Sequence, residues 1–203
     1  INSMAELAGR FVQQLQAVQP QGPYLLAGYC FGGFVAMEMA RQLKAAGHQI
    51  GLLGLIDARP YQPIMLRSER CLMLLRGALK AGPSDWARHL KAKWAMKREG
   101  MLIDWLARSN PDQLSRRDLN RWVLETKVLA GYRSLDYAGP LTFFYPAESH
   151  YELYDDPSCG WLHLADRVYL HQVPGSHLDM MKEPHVSELA GTLQRCLRQA
   201  LER

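Results

Sequence analysis

The feature that most constrains this chain is the segment 28–33, Gly-Tyr-Cys-Phe-Gly-Gly, because it joins two stretches of different hydrophobic periodicity. Before it, residues 24–28 form an apolar run short enough for a buried strand, and after it a helical pattern ends near Gly47. A second apolar run, 50–56, ends at Asp57. Strand, helix and strand within about 35 residues predict a βαβ unit. The sheet should therefore be parallel and covered by helices.

The rest of the chain continues this alternation after one long interruption. Residues 60–136 have helical periodicity and no convincing strand, whereas 141–145 and 167–173 are typical of strands. We therefore predict a single α/β domain over 1–203, with a mostly parallel sheet and helices on both faces. A helical insertion of about 61–138 would separate two strands of that sheet.

Helices are predicted at both ends of the chain. A capping box, Ser3-Met4-Ala5-Glu6, begins the first helix, which should end before Pro20. Its predicted buried stripe consists of Leu7, Phe11, Leu15 and Val18. The final amphipathic helix is predicted over 186–201 and follows Pro184.

The composition excludes several classes of protein. With 203 residues, 48% of them hydrophobic and 22% charged, the chain can bury one sizeable core. No apolar stretch is long enough to cross a bilayer, and the first nine residues lack the pattern of a signal peptide. The four cysteines, at positions 30, 71, 159 and 196, show no C-x-x-C spacing, and no H-E-x-x-H motif is present. We expect no metal, no disulfide framework and a cytoplasmic location.

Positive charge is concentrated in the predicted insertion. Residues 64–133 contain 15 lysines and arginines against 7 acidic residues, whereas the rest of the chain contains 9 against 13. Such an excess is typical of a solvated helical face, and it would also suit an acidic partner. Nucleic acid is not expected as a partner, because no binding motif or aromatic platform accompanies the charge.

The segment 28–33 has the G-x-C-x-G spacing of a nucleophile elbow. Gly28 and Gly32 should leave room for close packing of the strand and helix backbones. The sharp turn would hold the Cys30 thiol above the sheet, where the helix N-terminus favours a thiolate. The backbone N–H of Phe31 would point to the place where an oxyanion forms. A glycine-rich turn also occurs in many other α/β proteins, so this motif alone does not identify the chemistry.

Two further residues complete a candidate catalytic triad. Asp57 directly follows a predicted strand, at the end where α/β folds place functional groups, although it could instead cap the next turn. His177 lies in the loop between the last predicted strand and the final helix. In a triad, His177 would take the Cys30 proton, and Asp57 would fix the imidazole tautomer. The other six histidines have no such context and are expected to be surface or packing residues.

Taken together, these motifs resemble the type I thioesterase domains of nonribosomal peptide and polyketide synthases, which belong to the α/β-hydrolase superfamily. The resemblance is carried by residues 22–40, by Leu55-Ile56-Asp57 with Pro60, and by Pro174-Gly175-Ser176-His177. The helical insertion falls where that family has its lid. The resemblance implies that an acyl or peptidyl chain is released from the phosphopantetheine arm of an upstream carrier protein, without a separate cofactor.

The sequence departs from the family in two ways. Cys30 stands where the family usually has serine. Transfer to cysteine conserves the thioester, so we expect cyclisation to a small lactam or lactone rather than simple hydrolysis. In addition, the N-terminal strands of the family, with the second oxyanion N–H that they supply, are expected to be missing.

Three other interpretations remain open. A dienelactone hydrolase also has a Cys-His-Asp triad, and its acid would follow the strand at 141–145, as Glu148, Asp155 or Asp156. A stand-alone editing thioesterase would differ mainly in its lid and its partner. A catalytically inactive module that only binds a carrier domain is the alternative outside the enzymes.

Overall fold

The computed structural model of the protein describes residues 1–60, 115, 127–129, 132–148 and 158–202. Most of the predicted insertion lies outside these residues, as do the alternative acids Asp155 and Asp156. The described elements, in chain order, are α1 Met4–Val18, β1 Tyr24–Tyr29, α2 Phe31–Ala45, β2 Ile50–Ile56, β3 Tyr137–Pro146, a 3₁₀ helix Trp161–His163, β4 Ala165–Val173 and α3 His185–Leu201. The predicted strands and helices outside the insertion are confirmed, and β3 begins earlier than expected.

The strands form one sheet in the order β1-β2-β3-β4, and each neighbouring pair is parallel. The connection from β1 to β2 runs through α2, as the βαβ pattern predicted. Because all four strands run the same way, their carboxyl ends lie at one edge of the sheet. The ends of β1, β2 and β4 lead directly to the segments that carry Cys30, Asp57 and His177.

The two faces of the sheet bury separate cores. On β2, Leu53 and Leu55 belong to the core that includes α2, whereas Leu52 and Ile56 belong to the core that includes α3. Successive side chains of a strand point to opposite faces, so a strand covered on both sides is apolar along its whole length. This arrangement explains the unbroken apolar run at 50–56 and confirms that helices cover both faces.

The first helix begins at a modified capping box. The Ser3 hydroxyl accepts the Glu6 N–H at 3.1 Å, while the Glu6 carboxylate accepts the N–H of Asn2 rather than that of Ser3. The predicted stripe is wrong in part, because Phe11 is 44% exposed and Val18 is 86% exposed. The face that packs into the protein instead contains Met4, Leu7, Ala8, Val12 and Leu15. Within the described residues, no helix is both long and apolar enough to span a membrane.

Candidate active site

Cys30 occupies a strained turn between β1 and α2. Its φ of 50° and ψ of −118° are unusual for a residue other than glycine, and α2 begins at the next residue, Phe31. The Cys30 N–H donates to the Ile56 carbonyl at 2.9 Å, and the Gly33 N–H donates to the Cys30 carbonyl at 3.0 Å. These two hydrogen bonds hold the turn in this conformation. The half-buried Cys30 thiol therefore lies at the N-terminus of α2. The elbow geometry predicted from the spacing is present.

Two of the three glycines in the elbow are required by close contacts. A Cβ atom on Gly28 would lie 2.1 Å from the Gly32 carbonyl oxygen, and one on Gly33 would lie 2.2 Å from the Ala58 Cβ. At Gly32, by contrast, no atom lies within 4 Å of the added Cβ. The steric role predicted for Gly32 is therefore wrong, and Gly33 fulfils it. Two adjacent glycines, Gly32 and Gly33, are visible in the sequence. The G-x-C-x-G spacing selects Gly32, whereas the close contact in the structure is made at Gly33.

Asp57 also adopts a positive φ, of 43°, in the turn that follows β2. Its N–H donates to the Phe144 carbonyl at 2.8 Å, which extends the pairing between β2 and β3. The next residue, Ala58, packs against Gly33, and its carbonyl accepts the indole N–H of the buried Trp161 at 2.9 Å. Because contacts on three sides fix this turn, the buried Asp57 carboxylate has a defined direction.

His177 meets the Asp57 carboxylate although the two residues are far apart in the chain. His177 Nδ1 lies 2.5 Å from Asp57 Oδ2. On the other side of the site, the Tyr29 hydroxyl donates to the His177 carbonyl at 2.5 Å, and the two rings stack with centroids 5.0 Å apart. Tyr29 lies within the elbow motif, yet the spacing of that motif predicts no role for it.

The pKa of His177 is raised from its usual 6.5 to about 9. The hydrogen bond to Asp57 is the largest cause of this raised pKa and the nearby Cys30 side chain is the second, while burial acts in the opposite direction. Because Nδ1 faces Asp57, Nε2 is the nitrogen left for Cys30. The structure thus brings His177 into direct contact with Asp57 and places the Cys30 side chain close enough to the imidazole to raise its pKa.

Phe31 is the first residue of α2. The first N–H groups of an α-helix have no carbonyl acceptor within the helix, and they lie at its positive end. The position of Phe31 directly after Cys30 is therefore compatible with a role in an oxyanion hole. That role stays a prediction.

The loop that carries His177 is held by contacts of its own. Gly175 has a φ of 85°, and a Cβ atom there would lie 2.8 Å from the His185 ring. The Ser176 hydroxyl donates to the Asp179 carboxylate at 2.5 Å. Glu148, the alternative acid, contributes its backbone N–H to the Gly175 carbonyl at 3.1 Å. The acid that contacts the imidazole in the described part of the chain is Asp57.

Two other histidines pack as expected from the sequence. His48 hydrogen-bonds to Gln16 at 2.9 Å and meets the edge of the Tyr24 ring. His171 stacks on Phe144 and lies 3.5 Å from the Cys196 sulfur. No group of three or more His, Cys, Asp or Glu residues suited to a metal ion occurs among the residues that the structure describes.

The chain is similar to one protein family and to parts of several much longer synthetases. The family model for the thioesterase domain matches residues 1–197. The nonribosomal peptide synthetase apvA of Aspergillus terreus is 26% identical over 215 residues, which cover 96% of this chain and 23% of that protein. Vanchrobactin synthetase VabF of Vibrio anguillarum is 26% identical over 199 residues, which cover 96% of this chain and 6% of that protein. The chain thus spans less than a quarter of the length of these relatives.

Among solved structures, the chain is similar to a covalent complex of the NocB thioesterase domain with a fluorophosphonate nocardicin G analog. The TM-score is 0.61 and the identity 22%, over 97% of this chain and 76% of the other. At this identity the likeness concerns the fold. It confirms the predicted α/β-hydrolase class for the parallel sheet and its helices.

Proposed function

The chain belongs to the thioesterase domain family, and on that basis we propose that it releases an acyl or peptidyl chain from the phosphopantetheine thioester of an upstream carrier protein. The observation that carries the proposal is the 2.5 Å contact between His177 Nδ1 and the Asp57 carboxylate, with the Cys30 side chain close enough to act on the same imidazole. A carrier domain as partner is supported by the relatives apvA and VabF, which are synthetases. A covalent intermediate is supported by the covalent complex of the NocB thioesterase domain.

In the first step, the Cys30 sulfur attacks the thioester carbonyl carbon and forms a new C–S bond. His177 holds the thiol proton as an imidazolium, which the Asp57 carboxylate stabilises. The raised pKa of His177 favours the imidazolium form that holds this proton. The carbonyl oxygen becomes an oxyanion near the N–H of Phe31. When the intermediate collapses, the bond to the pantetheine sulfur breaks, and that sulfur leaves with the proton from His177.

In the second step, a nucleophile displaces the acyl group from Cys30. Because the acyl-enzyme is a thioester, it keeps the activation that transfer to a serine hydroxyl would lose. An amine or hydroxyl of the bound chain attacks the carbonyl, its proton passes to His177, and the Cys30 thiolate leaves. The product is then a lactam or lactone, and hydrolysis is the competing reaction with water as nucleophile.

An acyl-transfer experiment tests this function directly. The protein is mixed with a small acyl thioester, and intact mass is measured before turnover is complete. We expect one acyl group on Cys30 in the wild type, one in a Cys159→Ser control, and none in Cys30→Ala. Absence of the adduct from the wild type, with the protein folded, would contradict the covalent mechanism. Analysis of the product released from a chain with an internal amine distinguishes cyclisation from hydrolysis.

The alternatives make different predictions in simple assays. In an inactive docking module, a thiol reagent at neutral pH would label Cys30 no faster than Cys159, because the thiol would lack an activating base. In a dienelactone-type triad, one of the substitutions Glu148→Gln, Asp155→Asn and Asp156→Asn would abolish turnover, and Asp57→Asn would not. The 2.5 Å contact between Asp57 and His177 supports the opposite outcome. A stand-alone editing thioesterase would accept many short acyl groups and release them as free acids.

A further inference from the structure

Tyr29 contacts His177 in two independent ways. Its hydroxyl donates to the His177 carbonyl at 2.5 Å, which fixes the backbone of the loop. Its ring lies against the imidazole with an interplanar angle of 22°, which covers one face of the ring. A hydrogen bond to the backbone and a stack on the side chain together restrain both the position and the rotation of the imidazole.

Tyr29 is itself held firmly. It is the last residue of β1 and pairs with Ile56 of β2, whose carbonyl also accepts the N–H of Cys30. Its partly buried ring packs against the core that includes α3. The same strand end therefore carries the nucleophile and supports the base, so a movement of the imidazole relative to the sulfur would require Tyr29 to move as well.

The loop has other attachments that do not involve Tyr29. Val173 and Met180, on either side of His177, are buried in the same core. The Ser176 hydroxyl bonds to Asp179 within the loop. These contacts fix the ends of the loop, whereas the Tyr29 contacts act on His177 itself.

We propose that Tyr29 is a positioning residue, which holds the His177 imidazole in line between Asp57 and Cys30. The proposal rests on the proposed function, since it assigns Tyr29 a part in acyl transfer through His177. Without the stack, the imidazole can rotate away from the Asp57 carboxylate. Without the hydroxyl, the loop backbone can drift. Either change reduces the time that Nε2 spends within reach of the sulfur, and misplacement of about 1 Å can slow a reaction by roughly 100-fold.

The test compares Y29F and Y29L with a matched control, Y24F. Tyr24 lies at the other end of β1, and its hydroxyl also donates to a backbone carbonyl, that of Gln19, at 2.9 Å. Three quantities are measured for each variant: the rate of acyl transfer to Cys30, the His177 pKa from an NMR titration of labelled histidine, and the urea midpoint of unfolding. Y24F thus reports what the loss of one tyrosine hydrogen bond in this strand does to stability alone.

For Y29F we expect acyl transfer to slow about fivefold, because the stack remains and one hydrogen bond is lost. For Y29L we expect a loss on the order of 100-fold and a His177 pKa that moves from about 9 towards 6.5. Y24F should lower the urea midpoint but leave the pKa and the acyl-transfer rate unchanged.

The proposal is overturned if Y29L retains both the raised pKa and the wild-type rate, or if Y24F reduces the rate as much as Y29F does. The proposed function has a separate point of failure. If the wild-type protein forms no acyl adduct, thioesterase chemistry is refuted, while the His177 pKa of the variants still shows whether Tyr29 positions the imidazole.

Discussion

A pair of alanine substitutions at adjacent glycines tests the packing that places Asp57. Gly32 and Gly33 both lie in the first turn of α2. The new Cβ of Gly33→Ala would lie 2.2 Å from the Ala58 Cβ, whereas that of Gly32→Ala would have no neighbour within 4 Å. Carbon atoms in ordinary contact are about 3.5–4.0 Å apart, so Ala58 would have to retreat by roughly 1.5 Å. Asp57 is covalently linked to Ala58 and would move with it.

The expected free-energy change follows from how little room Ala58 has. The Ala58 side chain is buried, and the Ala58 carbonyl accepts a hydrogen bond from the indole N–H of Trp161, which is also buried. Insertion of a methyl group into a well-packed core costs about 1–3 kcal/mol, so we expect Gly33→Ala to lower the free energy of unfolding by about 3 kcal/mol. Gly32→Ala should instead raise it by up to about 1 kcal/mol, because alanine favours the helix.

Urea unfolding followed by far-UV circular dichroism measures both values. The same two proteins are then labelled with a thiol reagent, since displacement of Asp57 would lower the His177 pKa and slow the reaction of Cys30. Equal urea midpoints for the two variants would refute the reasoning, because the new methyl group would then cost no more beside Ala58 than at Gly32, where it meets no atom within 4 Å. If Gly33→Ala is stable but its Cys30 reacts slowly with the thiol reagent, the turn that carries Asp57 and Ala58 has moved without unfolding of the protein.

Three further outcomes follow from the site. Asp57→Asn should lower the His177 pKa and reduce acyl transfer on the order of 10³-fold or more, measured with a small thioester, while Glu148→Gln should leave it near the wild-type rate. Because the His177 pKa is raised from 6.5 to about 9, its contribution to stability is complete below pH 6.5 and is lost as the pH rises through 9. The urea midpoint of His177→Gln should therefore change less than that of the wild type between pH 6.5 and about pH 9. Trp161→Phe leaves the buried Ala58 carbonyl without its donor and should cost about 1–3 kcal/mol in urea unfolding.

The positions of Cys30 and His177 in the fold could be predicted because each depends on local sequence. Cys30 lies between a strand and a helix whose periodicities are clear, and His177 follows the last strand. The boundary errors arose where local preference is weak. β3 begins at Tyr137 rather than at 141, since pairing with β4 extends it beyond its apolar centre. On α1, the exposed Phe11 shows that the periodicity of a helix does not say which side meets α2.

The sequence by itself determined the order of the elements, the parallel sheet and the edge at which the thiol, the carboxylate and the imidazole meet. These follow from hydrophobic period, turn chemistry and the handedness of βαβ units, which act over a few residues or a single crossover. Only the tertiary structure decided that Gly33 rather than Gly32 faces Ala58, and that Tyr29 lies under His177. The physical reason is that these contacts join residues 25 to 148 positions apart. Their geometry depends on how the sheet and its helices pack as a whole, which no local pattern encodes.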